Sequence, residues 1–172
     1  MTCKICAIVA VCDDWGIGKG GGMVVANCAD MRHFVECTTG HPVIMGRRTL
    51  ESFPGGRPLK NRRNIVLTRD ASFAREGVEV VRSVEEALAL VADGTEAWVI
   101  GGGDVYRQFL PYCCEAEVTR NRCVREADTY FPDLDASDEW VVFRRSDAMT
   151  VAPGEGDEGL AFEFVTYRRC EG

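Results

Sequence analysis

The sequence predicts an α/β fold with a mostly parallel central sheet, helices on both faces and an antiparallel hairpin at the C-terminal end. Three observations support this prediction. Apolar runs alternate with helix-like segments over most of the chain, the links between them are short, and the last third has strand-like runs without intervening helices. Such alternation is typical of parallel sheets, which often carry an antiparallel edge. The 172 residues are expected to form a single domain over positions 1–172.

The elements before the last third follow in a regular order. The first predicted strand, at 5–12, leads into a glycine-rich loop from Gly16 to Gly22 and then a helix over 27–38. Ser83 and Glu86 form a capping box, which favours a helix from 83 to about 92. Further strands are predicted at 42–46, 64–68, 78–81 and 97–100, with helices at 47–53 and from the glycines at 101–103 to 110.

The last third of the chain predicts strands only. Apolar runs at 117–121, 139–145 and 160–168 have no helical pattern between them. The last two flank a polar, glycine-rich turn at 153–159, which favours an antiparallel hairpin.

Composition excludes several classes of protein. The chain is 46% hydrophobic and 27% charged, as expected for a globular protein, and its net charge of −7 disfavours a nucleic-acid partner. No apolar run is long enough to span a membrane, and the N-terminus shows no signal peptide, so a cytoplasmic protein is expected.

Nine cysteines raise the question of disulfides or a metal site. Their number is odd, and Cys3 and Cys6, the one C-x-x-C pair, lie three apart in a predicted strand, where their side chains point to opposite faces. We therefore expect buried thiols and no metal.

Positive charge is concentrated between residues 47 and 82. This window holds nine of the twenty cations but four acids. A solvated basic face is one interpretation, and a small, multiply anionic ligand is the other. Gly46 and Gly101–Gly103 each stand between a strand and a helix, where unpaired amides and the helix dipole favour phosphate. Together these features favour a dinucleotide, and the excess of arginine favours NADP over NAD.

Asp30 occupies an unexpected face of the helix at 27–38. At 100° per residue it lies between Cys37 and Phe34, inside the apolar arc rather than among the charges. One interpretation is that Asp30 merely complements the dipole of a helix capped by Asn27. The other is that a buried carboxylate there requires a cationic or N–H-rich partner.

Several motifs in order along the chain resemble the dihydrofolate reductase family. They are Pro42-Val43-Ile44-Met45-Gly46-Arg47 with Thr49 and Glu51-Ser52; Gly56-Arg57-Pro58-Leu59; Arg63-Asn64-Ile65-Val66-Leu67; Val99-Ile100-Gly101-Gly102-Gly103 with Val105-Tyr106 and Phe109-Leu110-Pro111; and Asp128-Thr129-Tyr130-Phe131-Pro132. The resemblance covers essentially the whole chain and implies a dihydrofolate-reductase-like fold.

The resemblance also implies an activity and its partners. These are NADPH-dependent reduction of 7,8-dihydrofolate to 5,6,7,8-tetrahydrofolate, a role in one-carbon and thymidylate metabolism, and binding of antifolates. Hydride passes from nicotinamide C4 to pterin C6, and N5 gains a proton, for which water is the expected donor. A monomer is expected.

Site residues follow from the same resemblance. Asp30, Thr119 and Met23 are the expected catalytic residues; Asp30 holds the 2-amino group and N3 of the pterin, and Thr119 supports its carboxylate. The expected substrate-binding residues are Ala7, Ile8, Asp30, Met31, Phe34, Phe53, Leu59, Arg62, Ile100 and Thr119, with Arg62 clamping the glutamate tail. The expected cofactor-binding residues are Ala7, Ile17, Gly18, Gly46, Arg47, Arg48, Thr49, Leu67, Thr68, Arg69, Arg82, Ile100, Gly101, Gly102, Gly103, Asp104, Val105 and Tyr106.

The chain departs from the family in its mobile loop. The family motif is Met-Pro-Trp, whereas this chain has Met23-Val24-Val25, preceded by three glycines. The side chain of valine has no N–H to anchor the water that the family's tryptophan holds near the pterin. Trp15 is not expected to replace that tryptophan. We expect substrate binding or loop closure to differ. Two other functions stay open: a pyrimidine reductase of riboflavin synthesis on the same fold, and a non-catalytic folate- or NADPH-binding protein.

Overall fold

A computed structural model describes residues 4–92 and 94–171, so Cys3 of the C-x-x-C pair lies outside the described residues. The strands are β1 (Ile5–Val11), β2 (Gly16–Lys19), β3 (Gly22–Met23), β4 (Val43–Gly46), β5 (Asn64–Leu67), β6 (Val78–Val81), β7 (Ala97–Gly101), β8 (Glu115–Asn121), β9 (Thr129–Tyr130), β10 (Trp140–Arg145), β11 (Met149–Thr150) and β12 (Ala161–Arg169). The α-helices are α1 (Cys28–Thr38), α2 (Arg47–Ser52), α3 (Val84–Leu90) and α4 (Gly103–Phe109). Short 3₁₀ turns follow at Pro54–Gly56, Leu110–Tyr112 and Leu134–Ala136.

The described chain packs as two compact units. The first comprises residues 4–7 and 37–113, and the second comprises residues 8–36 and 114–171. The division falls inside β1, after Ala7, and inside α1, after Glu36, so each of these elements contributes to both units.

The first unit contains the parallel part of the fold. Its strands lie in the order β1-β7-β4-β5-β6, and each neighbouring pair is parallel. Strands β4 and β5 are apolar runs without alternation because they are covered on both faces. Val43, Ile44, Met45, Ile65 and Val66 are fully buried.

The second unit contains the antiparallel part. Strands β10, β12 and β8 are adjacent in that order, β11 also pairs with β12, and β3-β2-β9 form a separate small sheet. Trp15 is buried here: its ring stacks on Phe131 with centroids 6.2 Å apart, and the Arg120 guanidinium lies 4.6 Å from its centre. Arg120 also donates to the Tyr167 hydroxyl at 2.8 Å, and burial raises the pKa of Tyr167 to about 12.

Most predicted elements are confirmed, with ends displaced by one or two residues. Two predictions need correction. The glycine-rich segment 16–22 is not simply a loop, because β2 and the start of β3 lie in it. The turn at 153–159 joins β11 to β12, although β10 and β12 do pair antiparallel as expected.

The cysteine prediction is partly wrong. The eight described cysteines are thiols rather than disulfides. Burial is complete at Cys6, Cys12 and Cys113, whereas Cys28, Cys114 and Cys170 are exposed.

Candidate active site

Helix α1 positions Asp30 at its first turn. Asn27 Oδ1 accepts from the backbone N–H of Ala29 at 3.1 Å and of Asp30 at 3.4 Å, which confirms the predicted N-cap. Asp30 is also half-buried, so the N-terminal helix position and the partial burial occur together, and a cationic or N–H-rich partner for it stays a prediction. The capping fixes the helix start and thereby the direction of the Asp30 side chain.

Asp30 and Thr119 are in contact, as expected. Thr119 lies buried in β8, and its Oγ1 donates to Asp30 Oδ1 at 2.5 Å. Burial raises the pKa of the Asp30 carboxyl above its ordinary value of 3.8, while the Thr119 hydrogen bond and the charge of His33 act in the opposite direction. The carboxylate is therefore oriented by a neutral hydroxyl, and burial makes its charge costly.

A second polar pair lies one helical turn along α1 and was not predicted. His33 Nε2 lies 3.0 Å from Glu117 Oε2, and Glu117 also accepts from the Thr166 hydroxyl. Glu117 and Thr119 share one face of β8 because they are two residues apart. The sequence offered no local signal for this pair, since the partners are 84 positions apart.

Strands β2 and β3 form a tight hairpin before α1. Gly20 and Gly21 have φ of 60° and 83°, the conformation of a two-residue type I′ turn. Gly20 N–H donates to Asp128 Oδ2 at 2.9 Å, and β2 pairs with β9. Met23 is 61% exposed at the end of this hairpin, whereas Val25 is 6% exposed.

Arg125 and Asp157 hold the segment that joins the hairpin to α1. Arg125 Nη1 donates to the Val24 carbonyl at 2.9 Å and to Asp157 Oδ2 at 2.5 Å. Asp157 Oδ2 also accepts from Ala26 N–H at 3.0 Å, and the Asp157 pKa is lowered by these contacts. Neither residue was expected at the site. Nothing in the local sequence indicates them, since both lie over 100 residues from the segment that they hold.

In the first unit, the two glycine turns come together at the carboxyl ends of β4 and β7. A Cβ on Gly46 would lie 3.2 Å from Val105 Cγ2 and 3.9 Å from the backbone nitrogen of Gly102. A Cβ on Gly102 would lie 3.8 Å from Thr49 Oγ1. The absence of side chains at these glycines leaves backbone amides of both turns accessible to a ligand.

Tyr106 is buried against Gly101. A Cβ on Gly101 would lie 3.2 Å from the Tyr106 ring, and Gly101 has a φ of 119°, so a larger residue is excluded on both grounds.

The arginines near these turns differ in their partners. Arg47 is bound to two carboxylates, Glu51 at 2.5 Å and Asp70 at 2.8 Å. Arg82 donates to the carbonyl of Ala71 at 3.0 Å. Arg48 and Arg69 are exposed. Arg48, Arg69 and Arg82 therefore keep positive charge available for an anion, whereas that of Arg47 is largely neutralised.

Arg62 is a half-buried cation without a carboxylate partner among residues 4–92 and 94–171. It donates to the Lys60 carbonyl at 2.9 Å and to Thr38 Oγ1 at 3.0 Å, and burial lowers its pKa. It lines an open cavity of about 430 Å³ together with Gly40, His41, Pro42, Asn61, Arg63 and Thr95. A guanidinium in this situation is suited to bind a carboxylate from a ligand.

The other expected site residues lie in strands, helices and connecting segments. Ala7 and Ile8 are buried in β1, and Ile17 and Gly18 are half-buried in β2. Phe34, Phe53, Leu59, Leu67, Thr68 and Ile100 are half-buried, and Met31 and Asp104 are exposed.

None of the helices in the described part of the chain is long and apolar enough to cross a membrane.

Comparison with known proteins gives consistent matches along the chain. A family model described as "Dihydrofolate reductase" matches residues 4–169. The chain is 44% identical over 141 residues to dihydrofolate reductase type 3 of Salmonella typhimurium. The aligned region covers 82% of this chain and 83% of that protein. It is 37% identical over 164 residues to dihydrofolate reductase of Neisseria gonorrhoeae, covering 95% and 97% of the two chains.

A solved structure is similar over nearly the whole chain. Dihydrofolate reductase from Enterococcus faecalis, complexed with NADP(H) and RAB-propyl, superposes with a TM-score of 0.87 at 31% sequence identity. The superposition covers 98% of this chain and 97% of the other.

Proposed function

The chain belongs to the dihydrofolate reductase family, and from this premise we propose which of its residues carry the reduction of 7,8-dihydrofolate by NADPH. The reaction adds hydride at C6 and a proton at N5 of the pterin, giving 5,6,7,8-tetrahydrofolate. No specific observation favours a pyrimidine reductase or a non-catalytic protein, which were the two other functions left open.

The observation that carries the assignment is the half-buried Asp30 carboxylate held by Thr119. Burial makes its charge costly, and a ligand that offers two N–H groups would compensate through charge-assisted hydrogen bonds. The 2-amino group and N3 of the pterin have this arrangement. An ionised Asp30 would then stabilise positive charge on the ring and raise the proton affinity of N5.

The residues of the first unit fit NADPH. The glycine turns at Gly46 and Gly101–Gly103 offer unobstructed backbone amides for the pyrophosphate, and Thr49 adds a hydroxyl. Arg48, Arg69 and Arg82 would hold the phosphates, including the 2′-phosphate of the adenosine. When bound, NADPH supplies the hydride.

Arg62 would bind the glutamate tail of the substrate. Its guanidinium has only neutral partners in the described part of the chain, and a carboxylate would accept two parallel hydrogen bonds from it. Ala7, Ile8, Met31, Phe34, Phe53, Leu59 and Ile100 are proposed as the apolar walls for the rings.

The hairpin that ends at Met23 is proposed to exclude bulk water during the reaction. Water is the proposed proton donor to N5, with Asp30 acting through the charge it maintains. We further propose that the protein is a monomer. We also propose that it has no nucleic-acid partner, which the net charge of −7 supports. The thiols favour a reducing compartment such as the cytoplasm.

The test is the loss of nicotinamide absorbance when purified protein is mixed with NADPH and dihydrofolate. Asp30→Asn is expected to lower kcat/KM at neutral pH by about 10²–10⁴-fold, because two hydrogen bonds to a charged group are lost. Activity should recover partly in acid, where the substrate arrives protonated. Glu36→Gln, an exposed carboxylate on the same helix, is the matched control and should leave kcat/KM unchanged.

Folding of the Asp30→Asn variant is checked by its thermal midpoint. Because burial raises the Asp30 pKa, removing the charge should leave the midpoint at neutral pH equal to or above that of the unsubstituted protein. An active Asp30→Asn variant with an unchanged pH profile would refute the role of Asp30, and a protein that binds NADPH without turnover would refute the function.

A further inference from the structure

Two cysteines far apart in the sequence bring their sulfur atoms together in the second unit. Cys12 Sγ lies 3.6 Å from Cys123 Sγ, although the residues are 111 positions apart. Cys12 follows β1 directly and is fully buried, whereas Cys123 follows β8 and is partly exposed. This pair has no part in the proposed reduction of dihydrofolate.

A backbone hydrogen bond joins the two segments that carry these cysteines. The N–H of Asp13 donates to the carbonyl of Cys123 at 2.9 Å, and the N–H of Cys12 donates to the carbonyl of Gly16 at 3.0 Å. Segments joined by a hydrogen bond such as that of Asp13 to Cys123 lie about 5 Å apart when they pair as strands, and Cα separations of this order occur in disulfides. The sulfurs would need to approach by about 1.5 Å to reach bonding distance.

The surroundings of the two thiols determine which one reacts first. Burial raises the pKa of Cys12 to about 12, with contributions from Cys123 and Asp14, while the charge of Arg125 opposes the rise. A buried thiol with a high pKa is a poor nucleophile. Cys123 is the more accessible of the two, so an external reagent meets its sulfur first.

We propose that Cys12 and Cys123 are a redox-responsive pair that closes into an intramolecular disulfide when the protein meets a small-molecule disulfide. The Cys123 thiolate attacks the reagent, forming a mixed disulfide and releasing one thiolate. Cys12 then loses its proton and attacks the Cys123 sulfur, which forms the protein disulfide and releases the second thiol. The pair loses two electrons and two protons, and the reagent gains them.

Closure would link two segments that meet at the hairpin before α1. Cys12 precedes the turn into β2, and Cys123 lies two residues before Arg125, which binds the Val24 carbonyl and Asp157. The crosslink would therefore fix the residues that hold this segment. It would also close a long loop of the unfolded chain, so the thermal midpoint of the oxidised protein should rise.

The test is incubation of reduced protein with oxidised glutathione, followed by alkylation of remaining thiols and mass analysis of intact protein and peptides. The expected product lacks the mass of two hydrogens and yields a peptide linking Cys12 to Cys123. Its thermal midpoint is raised and returns to the starting value with dithiothreitol. Cys170→Ser, at an exposed cysteine, is the matched control and should behave like the unsubstituted protein.

The single variants separate the two steps. Cys12→Ser should retain glutathione at position 123, because the resolving thiol is absent. Cys123→Ser should form neither product at this site. A mixed disulfide that persists at Cys123 in the unsubstituted protein, or crosslinks that use other cysteines instead, would overturn the proposal. Activity with NADPH and dihydrofolate is measured on the reduced protein, so an inactive reduced protein that still forms the crosslink on oxidation would count against the proposed function alone.

Discussion

Asp30, which we propose binds the pterin, is a residue whose charge is costly to the fold. Its carboxyl has a raised pKa because of burial, so the folded state holds the proton more tightly than the unfolded chain does. The contribution of Asp30 to stability is therefore most favourable at low pH and declines as the pH rises from 3.8 through its folded-state pKa. Burial makes the ionised form of Asp30 costly, and under the proposed function a ligand with paired N–H groups would offset that cost.

Val25 bears on the proposed supply of the proton, because it stands where the family motif has tryptophan. It lies buried in the segment held by Arg125 and Asp157, where the family carries a tryptophan that positions a water. The side chain of valine has no N–H group to hold such a water. Delivery of the proton to N5 should therefore limit turnover most strongly in alkaline solution, where protons are scarce.

Comparing Val25→Trp with Val25→Phe tests this explanation. Both changes insert a ring into a buried site and should destabilise the fold by about 1–3 kcal/mol through overpacking. Only tryptophan adds a hydrogen-bond donor, so at alkaline pH its kcat should exceed that of Val25→Phe by about fivefold, equivalent to one hydrogen bond of ~1 kcal/mol. Equal kcat values across the pH range, from steady-state assays of both variants, would contradict the explanation.

The β2–β3 hairpin shows why the glycine-rich segment has this composition. Gly20 and Gly21 form the turn with positive φ, so their role is to allow a type I′ conformation rather than to confer looseness. The hairpin is anchored by Asp128 and by pairing with β9. This folded turn already orders Gly20 and Gly21. Less conformational entropy is therefore left to lose on loop closure than three disordered glycines would lose.

Gly21→Ala should destabilise the protein by about 1 kcal/mol, because an alanine with positive φ is strained. Gly22→Ala is the matched control, since Gly22 lies in β3 and an added Cβ would make an ordinary 3.7 Å contact with the Lys19 carbonyl. Urea unfolding of both variants measures the difference. If Gly21→Ala were as stable as Gly22→Ala, the turn would not have the conformation described.

Elements with their own sequence pattern were predicted well, and elements that depend on distant partners were not. Strands β4 and β5 have continuous apolar runs, and α3 has the Ser83 cap, whose hydroxyl accepts from Glu86 N–H at 3.1 Å. Strands β3, β9 and β11 have two residues each, and glycine masks any alternation in β2 and β3. Their pairing depends on contacts that no local window contains.

The same distinction applies to the site. Helical geometry placed Asp30 on an apolar face, but its partner Thr119 is 89 positions away, and only the resemblance to a family indicated it. Arg125, Asp157 and the His33–Glu117 pair had no signal of either kind. Their contacts arise from the antiparallel part of the fold. The residue pattern predicts strands in this part, but it does not indicate which residues of neighbouring strands are paired.

At the scale of the whole molecule, the division into two compact units does not follow the chain's elements. It falls within β1, after Ala7, and within α1, after Glu36. A unit that unfolded alone would have to break a continuous strand and a continuous helix. Hydrogen bonds within a helix form cooperatively, so breaking α1 at this point would cost free energy.

We therefore expect the chain to unfold as a single domain, as its length also predicts. Calorimetry should give one transition with equal calorimetric and van't Hoff enthalpies, and intrinsic tryptophan fluorescence and far-UV circular dichroism should give coincident curves. Tryptophan fluorescence reports on both units, since Trp98 lies in the first unit and Trp15 and Trp140 lie in the second. Adding NADPH at about 100 times its Kd should move the whole transition upward, by ~2.7 kcal/mol of stabilisation, because a cooperative fold shares the energy of binding at one site. Two separate transitions, of which NADPH moved one, would show that the units are independent domains.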